Sequence, residues 1–363
     1  MPEIDYIQNT NFGHGLNTLS RTPKGVAIEW SGLESIGSSI AASTNKNSPV
    51  DQKISRIVKV VSSREEVSNS LDVSLSASVG IGNFGLDAKS KLISNMKFES
   101  NSIFFLVRIS IENPTLMICN PKIKPEAIKL LNSRGVKAFR ERYGNSYISG
   151  ITTGGEYFAI LEFQSKKQQN HREIQNDFRV NFPFSVSSGS VGFKHGSNTS
   201  RIEENYNIVI ISYRSGGEGI NSPLSLESVI NEMDEFVRLS NQYNMPYKAH
   251  LSEYDALDIP YINGNISGDI NYQYEKIQNI SSTILAYQDQ YKELEKFLYN
   301  HRAKLDGTQK QEIDAKLFEI SQEIDKLTKQ AQKCIYQGSL EILNTEFSLK
   351  NFRPNWLKGF EEQ

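Results

Sequence analysis

A change of hydrophobic period divides this chain and limits what it can fold into. From residue 25 to about residue 215 apolar residues return at every second position in short runs, as in residues 103–111 and 157–163, which are rich in Phe, Ile, Val and Tyr. Alternation of that kind predicts β-strands. In the last quarter the spacing becomes helical. Ile277, Ile280, Ile284, Tyr287, Tyr291, Leu294 and Leu298 form one seam in steps of three and four, and Ile313, Leu317, Ile320, Ile324, Leu327, Ala331 and Cys334 form a second. Asp306-Gly307 lies between the runs where a turn is needed, so residues 263–363 predict an antiparallel helical hairpin and tail. Such a hairpin either packs as ordinary structure or offers a seam to a partner.

Two further helices interrupt the strand-rich part. Residues 124–143 carry Pro125 near their start and Ala127, Ile128, Leu130, Leu131, Val136 and Phe139 at helical spacing, with a break expected at Gly135. Residues 224–243 begin with Ser225 as an N-cap and repeat Val229, Ile230, Met233, Phe236 and Val237. The fold class is therefore α+β, with residues 1–262 as one domain and the hairpin packed on it or extending it.

Composition excludes several function classes. With 363 residues, 38% of them hydrophobic, the chain can fill a core without disulfide or metal staples. Lys+Arg 40 against Asp+Glu 42 gives a formal charge of -2, which leaves no global basic field for nucleic acid or acidic lipid. Any membrane affinity must be local. The N-terminus has no basic start or apolar core of a leader, and no stretch approaches the ~20 apolar residues of a spanning helix, so a soluble product is expected. Cys119 and Cys334 lack metal-ligand spacing and fit a reducing compartment, two inert thiols or one bridge.

Catalytic and cofactor motifs are not supported. Gly80-Ile81-Gly82-Asn83-Phe84-Gly85 has dinucleotide-fingerprint spacing, but the residues before it alternate Leu71, Val73, Leu75, Ala77 and Val79 with Asp72, Ser74, Ser76 and Ser78. A buried parallel strand reads as a near-continuous apolar run instead. The five histidines are scattered and no HExxH, CxxC, GxSxG or Walker pattern occurs. No enzyme activity, cofactor, metal, nucleic acid or small-molecule substrate is expected.

One segment is more specific. Tyr143-Gly144-Asn145-Ser146-Tyr147 is followed by six residues and then by Gly154-Gly155. This resembles the signature of the membrane attack complex/perforin and cholesterol-dependent cytolysin superfamily: Tyr/Trp-Gly-Thr/Ser-His-Phe/Tyr, six residues, Gly-Gly. Asn145 stands in place of the Thr/Ser, and Ser146 in place of the histidine. Ser212-Tyr213-Arg214-Ser215-Gly216-Gly217 and Ala249-His250-Leu251-Ser252-Glu253-Tyr254 resemble strand-end and downstream segments of fungal and bacterial members. The resemblance covers roughly residues 71–257. It implies a bent central antiparallel sheet flanked by helical clusters. In the family the aromatics Tyr143 and Tyr147 would close a helix and enter the sheet, and the glycine pair would sit where the sheet unbends. Glycine suits that role because it reaches positive φ cheaply and lets backbones approach; a static bend asks for it equally.

The resemblance also implies a function. Members assemble on a membrane, through a lipid or receptor the sequence does not identify, as a ring or arc of like subunits, and each inserts two amphipathic hairpins. A barrel strand needs ~9 to 11 residues with one lipid-facing side. In residues 68–98 the apolar positions are Leu71, Val73, Leu75, Val79 and Ile81, then Leu86, Ala88, Leu92, Met96 and Phe98, with Asp87, Lys89, Lys91, Asn95 and Lys97 between the latter. The second arm equally fits a helix. In residues 166–202, Phe178, Val180, Phe182, Phe184 and Val186 alternate with Arg179, Asn181, Ser185 and Ser187, and Pro183 weakens that strand. An ordinary half-buried antiparallel strand gives the same alternation. Such a protein would leave its cell by a non-standard route and act on a target membrane. The alternative is a non-lytic member that binds membranes or partners through its helical hairpin.

Overall fold

The computed structural model describes residues 3–36, 52–81, 88–96, 98, 102–165, 176, 204, 206–215, 225–239, 244–258, 266, 270–337, 350–354 and 356–357. They form two compact units, one built from residues 1–18, 22–63 and 98–267 and the other from 19–21, 64–97 and 268–363. The element order is β1 (Glu3–Asp5), β2 (His14–Asn17), β3 (Thr22–Val26), β4 (Ile28–Glu29), β5 (Gly32–Ile36), β6 (Lys53–Val61), α1 (Arg64–Ser70), α2 (Leu75–Ser78) and α3 (Ala88–Asn95). There follow β7 (Ser102–Glu112), β8 (Thr115–Cys119), β9 (Lys122–Ile123), α4 (Pro125–Tyr143), β10 (Ser146–Ser165), β11 (Tyr206–Ser215), α5 (Leu226–Arg238), β12 (Met245–Glu253), α6 (Ile270–His301) and α7 (Gly307–Gln337).

The first unit is α+β, organised on a ten-stranded antiparallel sheet with β10 as its spine. The alternation read in residues 103–111 and 157–163 becomes β7 and β10, paired from Gly154↔Glu112 to Gln164↔Ser102. Their odd-numbered side chains, Ile103, Phe105, Val107, Ile109 and Ile111 with Tyr157, Ala159, Leu161 and Phe163, share one core with Leu226, Val229, Ile230, Met233 and Phe236 of α5. Burying each such apolar side chain contributes about 1.5–3 kcal/mol, so this contact fixes α5 on the sheet. Ser225 caps α5 in a reciprocal box, its Oγ accepting from Ser228 N–H (3.1 Å) and its own N–H donating to Ser228 Oγ (2.9 Å).

Helix α4 starts at Pro125, where the missing N–H costs nothing, and is broken at Gly135, whose φ is 76°. Its Ala127, Leu131, Phe139 and Tyr143 form a second core with Ile28, Ile118, Ile123, Tyr147 and Tyr254.

In the second unit α6 and α7 form the long helical pair expected from the two seams. Ile277, Ile280, Ile284, Tyr287 and Leu294 are buried on one helix, and Ile313, Ile320, Leu327, Ala331 and Cys334 on the other. Asp306 does more than turn the chain: its Oδ1 accepts from Gln309 N–H (2.8 Å) while Gln309 Oε1 accepts from Asp306 N–H (3.0 Å), a box that starts α7. Both cysteines are free thiols. Among the described residues no group of three or more His, Cys, Asp or Glu could hold a metal. No helix among them is long and apolar enough to cross a membrane.

The alternation at residues 71–81 is carried here by a turn and α2. Serines in and beside it are interior: Ser68 and Ser78 are 0% exposed and their hydroxyls lie 2.7 Å apart. Ser74 caps α2 and accepts at Oγ from Ala77 N–H (3.4 Å). Small hydroxyl side chains satisfied within their own turns mimic an amphipathic strand without facing water.

Candidate functional site

Residues 143–155 bring the signature together in the first unit. Tyr143 is the last residue of α4 and Gly144 turns the chain into β10 with φ 80°. A Cβ at Gly144 would lie 2.2 Å from the Leu16 carbonyl oxygen, so no side chain fits. The aromatics act as packing: Phe139, Tyr143, Tyr147 and Tyr254 meet with ring centroids 5.0–5.2 Å apart. Tyr254 Oη donates to the Tyr143 carbonyl (3.0 Å), and burial pushes the Tyr254 and Tyr147 hydroxyls above the usual tyrosine range. They stay neutral donors rather than acids. Asn145, one of the two departures from the signature, is a clamp: Oδ1 accepts from Thr18 N–H (2.9 Å) and Nδ2 donates to Thr18 Oγ1 (2.8 Å). Ser146, the other, is buried in the ladder opposite Glu253 and Leu16.

The glycine pair marks a change of partners. On one edge β10 runs beside β12 from Ser146 to Gly154 and beside β11 from Glu156 to Ser165. On the other edge it pairs briefly with β2 and β8 and then with β7 from Gly154 onward. Both exchanges fall at residues 154–156. Register shifts on the β12 side between Ile148/Gly150 and Thr152/Thr153 loosen the ladder just before them. Gly154 has φ 155°, and a Cβ there would stand 1.9 Å from the Ile111 carbonyl oxygen. Glycine is required at the junction because the backbones touch.

Buried charge gathers on the same stretch. Arg108 and Glu156, 7% and 0% exposed, pair through Nε and Oε1 at 2.5 Å, and Arg108 also reaches Tyr247 Oη (3.4 Å). Lys248 Nζ lies 2.7 Å from Glu112 and 3.3 Å from Glu3. Burial opposes the Lys248 charge, but Glu112 and Glu3 outweigh it and hold the ammonium above its usual range. For Glu112 burial favours the neutral acid, and Lys248 and Lys53 overcome it and hold the carboxyl below its usual range. His250 Nε2 sits 2.7 Å from Thr152 Oγ1, which is 2.6 Å from Thr115 Oγ1. Burial, with Lys248 adding, lowers the His250 pKa against the pull of Glu3 and Glu112. Sequence reading missed this belt. Its signal was a lone Arg108 inside an apolar strand and Glu156 directly after the glycines, a pattern that burial makes costly unless paired.

The first candidate inserting segment lies in the second unit as helices. Leu71, Val73, Leu75, Val79, Leu92 and Met96 are buried or half-buried, with Leu71 at 0% and Met96 at 3% exposed. Polar contacts tie the segment to α6. Arg64, 1% exposed, donates to Gln288 Oε1 (2.9 Å), the Leu285 carbonyl (3.3 Å) and Asp289 Oδ1 (2.6 Å). Leu75 N–H donates to Gln278 Oε1 (3.2 Å), and Lys292 Nζ to the Met96 carbonyl (3.3 Å). A cavity of about 340 Å³ remains beside Arg64, Ser78, Gly80, Ser90, Gln288 and Lys292. Leu86, the second segment with Phe178, Val180, Phe182, Phe184 and Val186, and the pair Gly216 and Gly217 lie outside the described residues.

Among solved structures, stonustoxin superposes on 94% of this chain with a TM-score of 0.50 and 11% identity. The fold is that of the membrane attack complex/perforin and cholesterol-dependent cytolysin superfamily. The human-specific toxin intermedilysin matches 69% of the chain at 13% identity and a TM-score of 0.38. A protein with a MAC/perforin domain from Bacteroides thetaiotaomicron matches 73% at 11% identity and a TM-score of 0.36. This chain spans 43% of stonustoxin and 59% of each of the other two. No family model and no curated protein matches the sequence.

Proposed function

We propose that this chain is a pore-forming protein without enzymatic activity. It assembles on a target membrane as a ring or arc of like subunits, opens its sheet at Gly154-Gly155, and inserts two amphipathic hairpins drawn from residues 68–98 and 166–202. The observation that carries this is topological. Strands β6 and β7 are antiparallel neighbours joined by residues 62–101, and β10 and β11 are antiparallel neighbours joined by residues 166–205. If either connector became extended it would prolong an existing ladder as a hairpin. Each connector is long enough for two arms of the ~9 to 11 residues a barrel strand needs. The glycine that β10 requires lies at the point where the four-stranded part, β6-β7-β10-β11, gives way to other partners.

The test is dye release from liposomes of varied composition combined with electron microscopy. Leakage with rings or arcs is expected. Binding of folded protein with neither leakage nor oligomers over a broad lipid range would overturn the reading in favour of a non-lytic partner-binding member. A disulfide between cysteines placed at Glu65 and Ser282, whose side chains meet at 3.4 Å, is expected to block leakage and leave docking intact. Full leakage with the bond formed would remove residues 68–98 from the inserting set.

A further inference from the structure

The tail of the chain is bound to the second unit as a peptide ligand would be. Residues 350–354, 356 and 357 lie along α6 and α7, meeting Tyr287, Gln290, Glu293 and Phe297 of the first helix and Glu323 and Glu312 of the second. Gln290 reads backbone: its Nε2 donates to the Lys350 carbonyl (3.1 Å) and its Oε1 accepts from Phe352 N–H (3.1 Å). Phe352, 6% exposed, packs edge-on to Tyr287 at 5.6 Å. Trp356 lies 6.2 Å from the Phe297 ring and donates through Nε1 to Glu312 (2.7 Å), and Leu357 is 2% exposed. Lys350 and Arg353 face Glu323 (3.0 Å) and Glu293 (3.5 Å). These ion pairs are exposed and weak; the rings and the glutamine supply the hold, and the charges select a basic segment.

The geometry allows exchange. The tail advances from Tyr287 to Phe297, about 15 Å of helix, and closes in a turn in which Leu357 N–H donates to the Pro354 carbonyl (3.1 Å). It starts at the level of Glu323, about 21 Å back along α7 from Gln337. The intervening residues 338–349 could span roughly 40 Å, twice what that return requires.

We propose that the α6–α7 groove is a recognition surface for short segments of the form basic, aromatic, basic, aromatic, and that in the assembled state its occupant is residues 350–357 of a second copy of this chain. The exchange rests on the oligomeric reading above; recognition by the groove does not. Two experiments separate them. A labelled peptide of residues 348–359 is titrated into the full chain carrying Phe352→Ala and Trp356→Ala, with Lys350→Glu and Arg353→Glu as a second, gentler tail variant. Binding at least tenfold tighter than to the unchanged chain is expected, with most of it lost when Gln290→Ala is added. No saturable binding to either folded variant, or binding indifferent to Gln290→Ala, would overturn the groove. For exchange, a Glu293→Cys copy and an Arg353→Cys copy, both with Cys119→Ser, are mixed on liposomes. Disulfide-linked dimers are expected. If the mixed copies do not crosslink, while the doubly substituted single chain crosslinks to itself under the same conditions, the second copy is excluded as occupant.

Discussion

The strand junction at Gly154 and the helical residues 64–81 and 88–96 are held in different ways. At the junction the determinants are backbone: a carbonyl oxygen where a Cβ would go, and a spine strand that exchanges neighbours on both edges within three residues. In residues 64–81 and 88–96 side chains do most of the holding: Val67, Leu71, Ile93 and Met96 are buried, and one buried arginine, a glutamine and serines closed on their own turns add polar contacts. A contact made of backbone cannot be dissolved without moving strands. A contact made of side chains can be given up piecemeal, which suits a segment proposed to refold.

Breaking the junction is expected to have the larger effects. Glu156→Gln leaves the Arg108 charge buried without its carboxylate and should cost about 3–5 kcal/mol, read by chemical denaturation. A pair change that removes both charges, Arg108→Met with Glu156→Gln, should recover part of that loss. Gly154→Ala should cost about 2–3 kcal/mol through overpacking and strain. If it proves neutral, the close approach to Ile111 is not a constraint in solution. Arg64→Ala should act locally, at about 1–2 kcal/mol once the half-exposed Asp289 is discounted. Hydrogen exchange should accelerate in residues 64–81 and 88–96 while β7 and β10 keep their protection, and leakage should speed up if release of this segment limits it. Uniform acceleration across both regions would erase the contrast.

The same difference decided what could be read beforehand. Backbone-driven features were legible: the alternation of β7 and β10, the break at Gly135, the Ser225 cap, the two helical seams and the signature from Tyr143 to Gly155. Side-chain networks were not. Ser74, Ser76 and Ser78 look like a water-facing row because a sequence records polarity, not whether a hydroxyl is satisfied within its own turn. Asn145 looked like a departure from the signature until Thr18, 127 residues away in sequence, took both ends of its amide. The tail went unread because Phe352 and Trp356 gain meaning only beside Tyr287 and Phe297.

The smallest expected effect is a dependence on pH that separates the two regions once more. His250, beside Thr152 at the junction, has its pKa lowered, so the unfolded chain takes up its proton first. The stability it contributes is complete above the ordinary histidine value of about 6.5 and declines as pH falls below it. Glu112, also lowered, contributes stability above the ordinary carboxylate range that is lost only as pH falls through its own depressed value. Acidification should therefore weaken the first unit in two stages, histidine before carboxylate. His250→Gln, keeping a polar partner for Thr152, should remove the first stage and leave the second, as followed by denaturation midpoints from pH 7.5 down through the carboxylate range to about pH 3. Exchange protection in residues 64–81 and 88–96 should not follow that first stage, because the groups identified as holding the segment, Arg64, Gln278, Gln288, Asp289 and Lys292, include no histidine. A first stage that survives His250→Gln, or that appears equally in residues 64–96, would show that acid loosens the molecule through some group other than the one at the junction.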